Sequence, residues 1–139
     1  MAKTTFNGPV TSQNGFISGH EVTTNNAINA TATATAAQVA TGYITSTSAA
    51  ATQITLPTGT NLGNELGAVK GTTLDLYIDN TAGASTVTIA VNTNAILSTA
   101  AVDTAASFGD LTVASGVTGL ARYTIMFSSP TAYVFTRTA

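Results

Sequence analysis

His20 is the single histidine of the sequence and sits beside Glu21. A Ser-His-Asp triad would have to use it. No G-x-S-x-G nucleophile elbow accompanies it, so the sequence favours a solvated loop histidine. One histidine is too few for the two- and three-histidine zinc and iron sites, and with no cysteine there is no thiolate to replace them. Asp75 and Asp79 are the other pair that invites chemistry. On a strand they share a face, but four steps of roughly 3.3 Å separate their Cα atoms by about 13 Å. Carboxylate pairs in glycosidases sit about 5–9.5 Å apart. The compact D-x-[DN]-x-[DN]-G oxygen cluster of a calcium loop is missing. The expectation is a polar row facing solvent or a partner, with no catalytic, cofactor or metal site.

Three weaker patterns remain. Gly59, Gly63, Gly67 and Gly71 recur every four residues. A phosphate-binding loop needs Gly-Lys-Ser/Thr at its end, whereas Lys70 lies between Val69 and Gly71. A membrane GxxxG dimer needs an apolar setting, which Asn61, Asn64, Glu65 and Lys70 deny. The glycines therefore predict a short helix packed closely against a sheet. Tyr43, Tyr77 and Tyr133 could form a sugar-stacking platform, although packing is the commoner use of tyrosine. Asn29-Ala30-Thr31 matches a glycosylation sequon, which matters only in a secreted chain.

These residues must be positioned by a body of unusual composition. Charged residues supply 7% of the 139 positions, against roughly a quarter in an ordinary soluble domain. Hydrophobic residues make up 44%, enough for a packed core. So little charge suits a chain whose surface is largely occupied by neighbours. Net charge is −2, and the four cations Lys3, Lys70, Arg122 and Arg137 are dispersed. They cannot make the stripe that nucleic acid requires, nor a basic membrane-surface helix. No run approaches the roughly 18 apolar residues of a membrane span. Residues 1–9 lack the apolar core of a signal peptide, which predicts synthesis in a cytoplasm without processing.

Along the chain, residues 1–42 read as an extended N-terminal arm and linker, and residues 43–139 as the body. Asn7-Gly8-Pro9 and Asn14-Gly15 are turn signals around Phe6, Val10 and Phe16, large side chains with little local core of their own. Residues 29–37 alternate Ala and Thr as a thin strand would, while Ala36–Ala40 could make one helical turn. In the body, period-2 alternation places Leu74, Leu76 and Ile78 on one face, and Asp75, Tyr77 and Asp79 on the other. Val87, Ile89 and Val91 repeat the pattern, with Asn80-Thr81-Ala82-Gly83-Ala84 as a hairpin loop between the two runs. Tyr123, Ile125 and Phe127 share a face before a turn at Ser128-Ser129-Pro130-Thr131. Ile54 with Leu56, and Leu111 with Val113, suggest further strands. One short helix is expected over residues 62–69. The fold class is all-β: a single β-sandwich or jelly-roll-like body.

Three stretches carry a resemblance. Phe6-Asn7-Gly8-Pro9-Val10-Thr11-Ser12-Gln13-Asn14-Gly15-Phe16 resembles the start of small virion proteins of tailed bacteriophages. Ile54-Thr55-Leu56-Pro57-Thr58-Gly59, followed by Gly71-Thr72-Thr73-Leu74-Asp75-Leu76-Tyr77-Ile78-Asp79-Asn80-Thr81-Ala82-Gly83, resembles their bodies. The likeness is greatest to capsid decoration (cement) proteins. It implies a homotrimer on the outer capsid surface of a virion, assembled in a host cytoplasm, whose partner is the major capsid protein. Phe6, Val10 and Phe16 are then the expected capsid or subunit contacts, reached by strand addition. A tail-fibre or adhesin module binding a host surface glycan is the alternative.

Overall fold

The computed structural model describes residues 26–97 and 111–139. Alternating apolar and polar side chains build nine strands among them: β1 (Ala32–Thr33), β2 (Tyr43–Thr45), β3 (Thr52–Thr55), β4 (Thr73–Asp79), β5 (Val87–Ala90), β6 (Ala95–Leu97), β7 (Thr112–Val113), β8 (Leu120–Ser129) and β9 (Ala132–Arg137). They form a four-stranded sheet in the order β1-β3-β5-β7 and a five-stranded sheet in the order β2-β4-β8-β9-β6. From β1 to β8 the chain visits the two sheets alternately. Three strands that return to their sheet after one crossing pair in parallel with the strand before: β1·β3, β3·β5 and β2·β4. β6·β9 is also parallel, whereas β4·β8, β5·β7 and β8·β9 are antiparallel. The protein is β-rich, with two mixed sheets.

This winding corrects one expectation. The run 80–84 does not close a hairpin, because β4 and β5 belong to different sheets. Both edges of β4 are already taken, by β2 and β8. The turn at Pro130-Thr131 does close a hairpin, with Ser129 opposite Ala132.

Two α-helices lie among the described residues, α1 (Ala36–Ala40) and α2 (Gly59–Leu66), with a single 3-10 turn at Gly116–Thr118. The Thr35 hydroxyl accepts from the Gln38 amide while the Gln38 side chain accepts from the Thr35 amide, a reciprocal cap that decides helix over strand for α1. α2 begins three residues before the expected 62–69 and ends three before it. Thr58 caps its start by accepting from the Asn61 amide, and Gly67 ends it in the left-handed region at φ 57°. Gly63 packs against the β8–β9 turn, where a Cβ would run into the Pro130 carbonyl. Close packing is thus the role of Gly59 and Gly63, whereas Gly71 stands in open space with φ 90°.

One hydrophobic core is drawn from both sheets and from α1 and α2. Ile54, Val87, Ile89 and Val113 meet Ile44, Leu76, Ile78, Ile125 and Phe127, with Val39 and Leu62 from the helices. Ile28 and Val39 are buried in it, so the core runs through the boundary expected after residue 42. Phe127, Tyr133, Phe135 and Tyr123 form a tilted aromatic chain with successive ring centroids 5.5, 6.5 and 6.0 Å apart. Such pairs add about 0.5–1.5 kcal/mol each beyond their area. The Tyr133 hydroxyl donates to the Pro57 carbonyl at 2.7 Å, and burial pushes its phenol far above the ordinary value.

Asn80 holds the crossing between the sheets. It is wholly buried, and its Nδ2 donates to the carbonyls of Ser85, Val113 and Ala114 at 2.9, 3.3 and 2.9 Å. Its own amide donates to the Gly119 carbonyl at 2.7 Å. Asn80→Ala is expected to lower the unfolding free energy by about 3 kcal/mol, because buried carbonyls lose their donor. Asn80→Asp should cost more, since it turns an acceptor and a charge towards them. Urea denaturation of the two variants checks the order.

Candidate functional site

The outward face of the five-stranded sheet carries the exposed Tyr43, Tyr77, Ile96, Leu120 and Met126. The strand alternation that sends Ile44, Leu76, Ile78, Tyr123, Ile125 and Phe127 inwards sends their neighbours outwards. Register then sets who meets whom. Tyr43 lies opposite Tyr77, and Tyr77 opposite Arg122, in a row across β2, β4 and β8. A second row joins Ile96, Val134, Met126 and Thr73 across β6, β9, β8 and β4. The two rows are four residues apart along β8 and centred on opposite edges of the sheet, so they occupy diagonal corners.

The first corner is aromatic and polar. Tyr43 and Tyr77 are 38% and 37% exposed. The Tyr43 hydroxyl donates to Asp79 Oδ2 at 2.7 Å, although Tyr43 stands opposite Tyr77, two residues away. The phenol therefore leans along the sheet instead of standing off it. Asp79 Oδ1 accepts from the amide and the hydroxyl of Thr81, at 3.0 and 2.6 Å. Those bonds from Thr81 and Tyr43 hold the Asp79 carboxyl below its ordinary value, and the bond to Asp79, burial and the carboxylate's charge raise the Tyr43 phenol above its own. Arg122 Nε donates to the Thr138 hydroxyl at 3.1 Å, which ties the guanidinium to the chain just beyond β9. Asp75 Oδ1 accepts from the Thr124 hydroxyl at 2.7 Å.

The second corner is apolar. Ile96 and Met126 are 58% and 46% exposed, with Val134 half-buried between them. The opposite, β2 edge of the sheet is covered: the Ile28 amide donates to the Thr45 carbonyl and the Thr45 amide to the Asn26 carbonyl, at 2.9 and 3.2 Å. Elsewhere, a polar groove of about 540 Å³ runs between the starts of the two helices, lined by Thr35, Thr58, Asn61, Glu65 and Asn92 among others.

The residues singled out in the sequence separate as follows. Phe6, Val10, Phe16 and His20 lie outside the described residues. Asp75 and Asp79 share the outer face, each bonded to hydroxyls and not to one another. Tyr43 and Tyr77 come together, whereas Tyr133 faces the core. Arg122 went unnoticed as part of this constellation. Its parity, opposite to Tyr123 and Ile125, marks it as outward, but only the β4–β8 register places it beside Tyr77. No group of three or more potential metal ligands occurs among the described residues. Comparisons with protein-family models, characterised proteins and solved structures found no match.

The Tyr43–Asp79 contact has a defined pH window. A lowered carboxyl stabilises the fold above its ordinary value of 3.8 and loses that contribution as pH falls through its folded value. A raised phenol contributes below its ordinary value of 10.0 and loses the contribution as pH rises through its folded value. Asp79→Asn should therefore bring one tyrosine titration back towards the ordinary value, read by phenolate absorbance against the parent protein.

Proposed function

We propose that this protein is a structural virion protein that decorates and stabilises the outside of a phage capsid by binding major capsid protein subunits. The observation that carries this reading is the exposed apolar row Ile96–Val134–Met126 in a chain with 7% charged residues. Exposed apolar side chains that adjoin one another mark a contact surface more readily than scattered ones. The resemblance of residues 6–16, 54–59 and 71–83 to decoration proteins supplies the partner. The body of such a subunit is a sandwich or jelly-roll-like pair of sheets, and its assembly a homotrimer. Burial against neighbours would stabilise a body of this size by mass action. Many weak contacts repeated over a lattice give avidity without a single strong site. In this reading Phe6, Val10 and Phe16 anchor the N-terminal arm on the capsid or a neighbouring subunit.

Quantifying this chain against the major capsid protein in purified particles tests the proposal. A ratio near one is expected of a lattice-covering protein, and absence from particles would overturn it. Deleting residues 2–19 should abolish particle binding and leave the body folded. Met126→Asp should weaken binding with the urea midpoint retained, which would place the apolar row at the contact.

A further inference from the structure

The aromatic corner asks for a different occupant from the apolar one. Its centre is a row of flat groups, Tyr43, Tyr77 and Arg122, on three neighbouring strands. Across two strand spacings it spans about 10 Å. The two phenols are exposed, and the rows beside them are mostly polar: Thr45 and Asp79 with the exposed Leu120 on one side, Asp75 and Thr124 on the other. A protein partner draws its affinity from aromatic side chains ringed by groups that exclude water. Here, Leu120 apart, the ring consists of carboxylates, a guanidinium and hydroxyls, which offer directional bonds instead.

A pyranose sugar fits both halves of that description. Its C–H face is apolar and stacks on an aromatic ring, while its hydroxyls donate and accept at the rim. Asp79 Oδ2 takes one bond, from Tyr43, and a carboxylate oxygen has lone pairs for about two. It can therefore accept from a sugar hydroxyl without releasing the tyrosine. Arg122 contributes a planar fork already oriented through Nε by Thr138. The leaning Tyr43 ring is held by its bond to Asp79, so less freedom is lost on binding. Charge narrows the class of sugar. Two carboxylates, Asp75 and Asp79, flank one guanidinium, which disfavours anionic glycans and equally a phosphate backbone.

We propose that Tyr43, Tyr77, Asp79 and Arg122 form a binding strip for uncharged glycans, one or two pyranose rings stacking on the tyrosines with their hydroxyls bonded to Asp79 and Arg122. The strip stands apart from the capsid reading, because it uses the opposite corner of the face. A decorated surface carrying it would present the strip in many copies, where weak single-site affinity becomes avid.

The test uses the full-length protein on an array of neutral oligosaccharides (glucans, galactans, mannans and N-acetylhexosamine oligomers), followed by calorimetry on the best ligand. Binding to at least one neutral glycan is expected. Tyr77→Ala should weaken it about tenfold or more, the loss of one stacking platform. Met126→Ala, at the other corner, should leave it unchanged. Should Tyr77→Ala shift the urea midpoint, Arg122→Gln supplies the second variant, with the same weakening expected. Failure to bind any neutral glycan, or binding indifferent to both strip variants, overturns the proposal. A protein that coats capsids yet binds no sugar refutes the strip alone. One that binds sugar and is absent from particles refutes the capsid reading alone.

Discussion

The Asn80 amide is the bond on which the two sheets depend. β4 ends on the five-stranded sheet and β5 begins on the four-stranded one, so the chain must cross the rim of the core at residues 80–86. Crossings leave backbone carbonyls facing inwards, and buried carbonyls need donors. The two N–H groups of one side chain are shared among three of these carbonyls, tying the end of β4 to Ser85 before β5 and to Val113 and Ala114 at β7. The backbone of Asn80 is bonded in turn to Gly119, just before β8. Four strands are thereby positioned from one wholly buried residue. β4 and β8, which carry Asp75, Tyr77, Asp79, Arg122 and Met126 on their outer face, take their relative placement from this junction.

Winding between sheets also explains how a chain with so little charge avoids long open edges. Of the five-stranded sheet, the β2 edge is paired with residues 26–28. Of the four-stranded sheet, both edge strands are two residues long. Short edges offer little template for unwanted pairing. Exposed apolar surface can then be concentrated where it is useful, on the face and not the rim. The outer face of the larger sheet is divided between an apolar corner and an aromatic, hydrogen-bonding corner, and the division follows from register alone. Each residue involved is one whose in-facing neighbours sit in the common core.

Much of this was open to reading in the residues. The alternation of Leu74, Leu76 and Ile78 with Asp75, Tyr77 and Asp79 is a local property, and it predicts inside and outside correctly for β4. The same holds for β8 and the turn after it, and for Val87 and Ile89 of β5, whereas Val91 lies beyond the end of that strand and is exposed. α2 was recognisable from its glycines but displaced by three residues, because its ends are set by Thr58 and Gly67 and not by its apolar content. The supposed hairpin at 80–84 misled for a physical reason. Asn and Gly favour any tight reversal, and nothing local tells a reversal within a sheet from a crossing between two. Asn80 reveals the difference only through distant partners, such as Ala114, 34 residues away, and Gly119.

By itself, then, the sequence determined the strand-rich character, the in–out sense of the principal strands, the close packing of the helix and the shortage of charge. These arise from side chains and their immediate neighbours, since strand periodicity and turn chemistry act over a few residues. Tertiary structure alone decided which strands adjoin. That choice put Tyr43 against Tyr77 and Arg122, sent Tyr133 to the core, and gathered Ile96, Val134 and Met126 into one row. Strand pairing is a contest among distant segments for a shared core, and its outcome is set by how well the buried faces fit together, a quantity that no single stretch of residues contains.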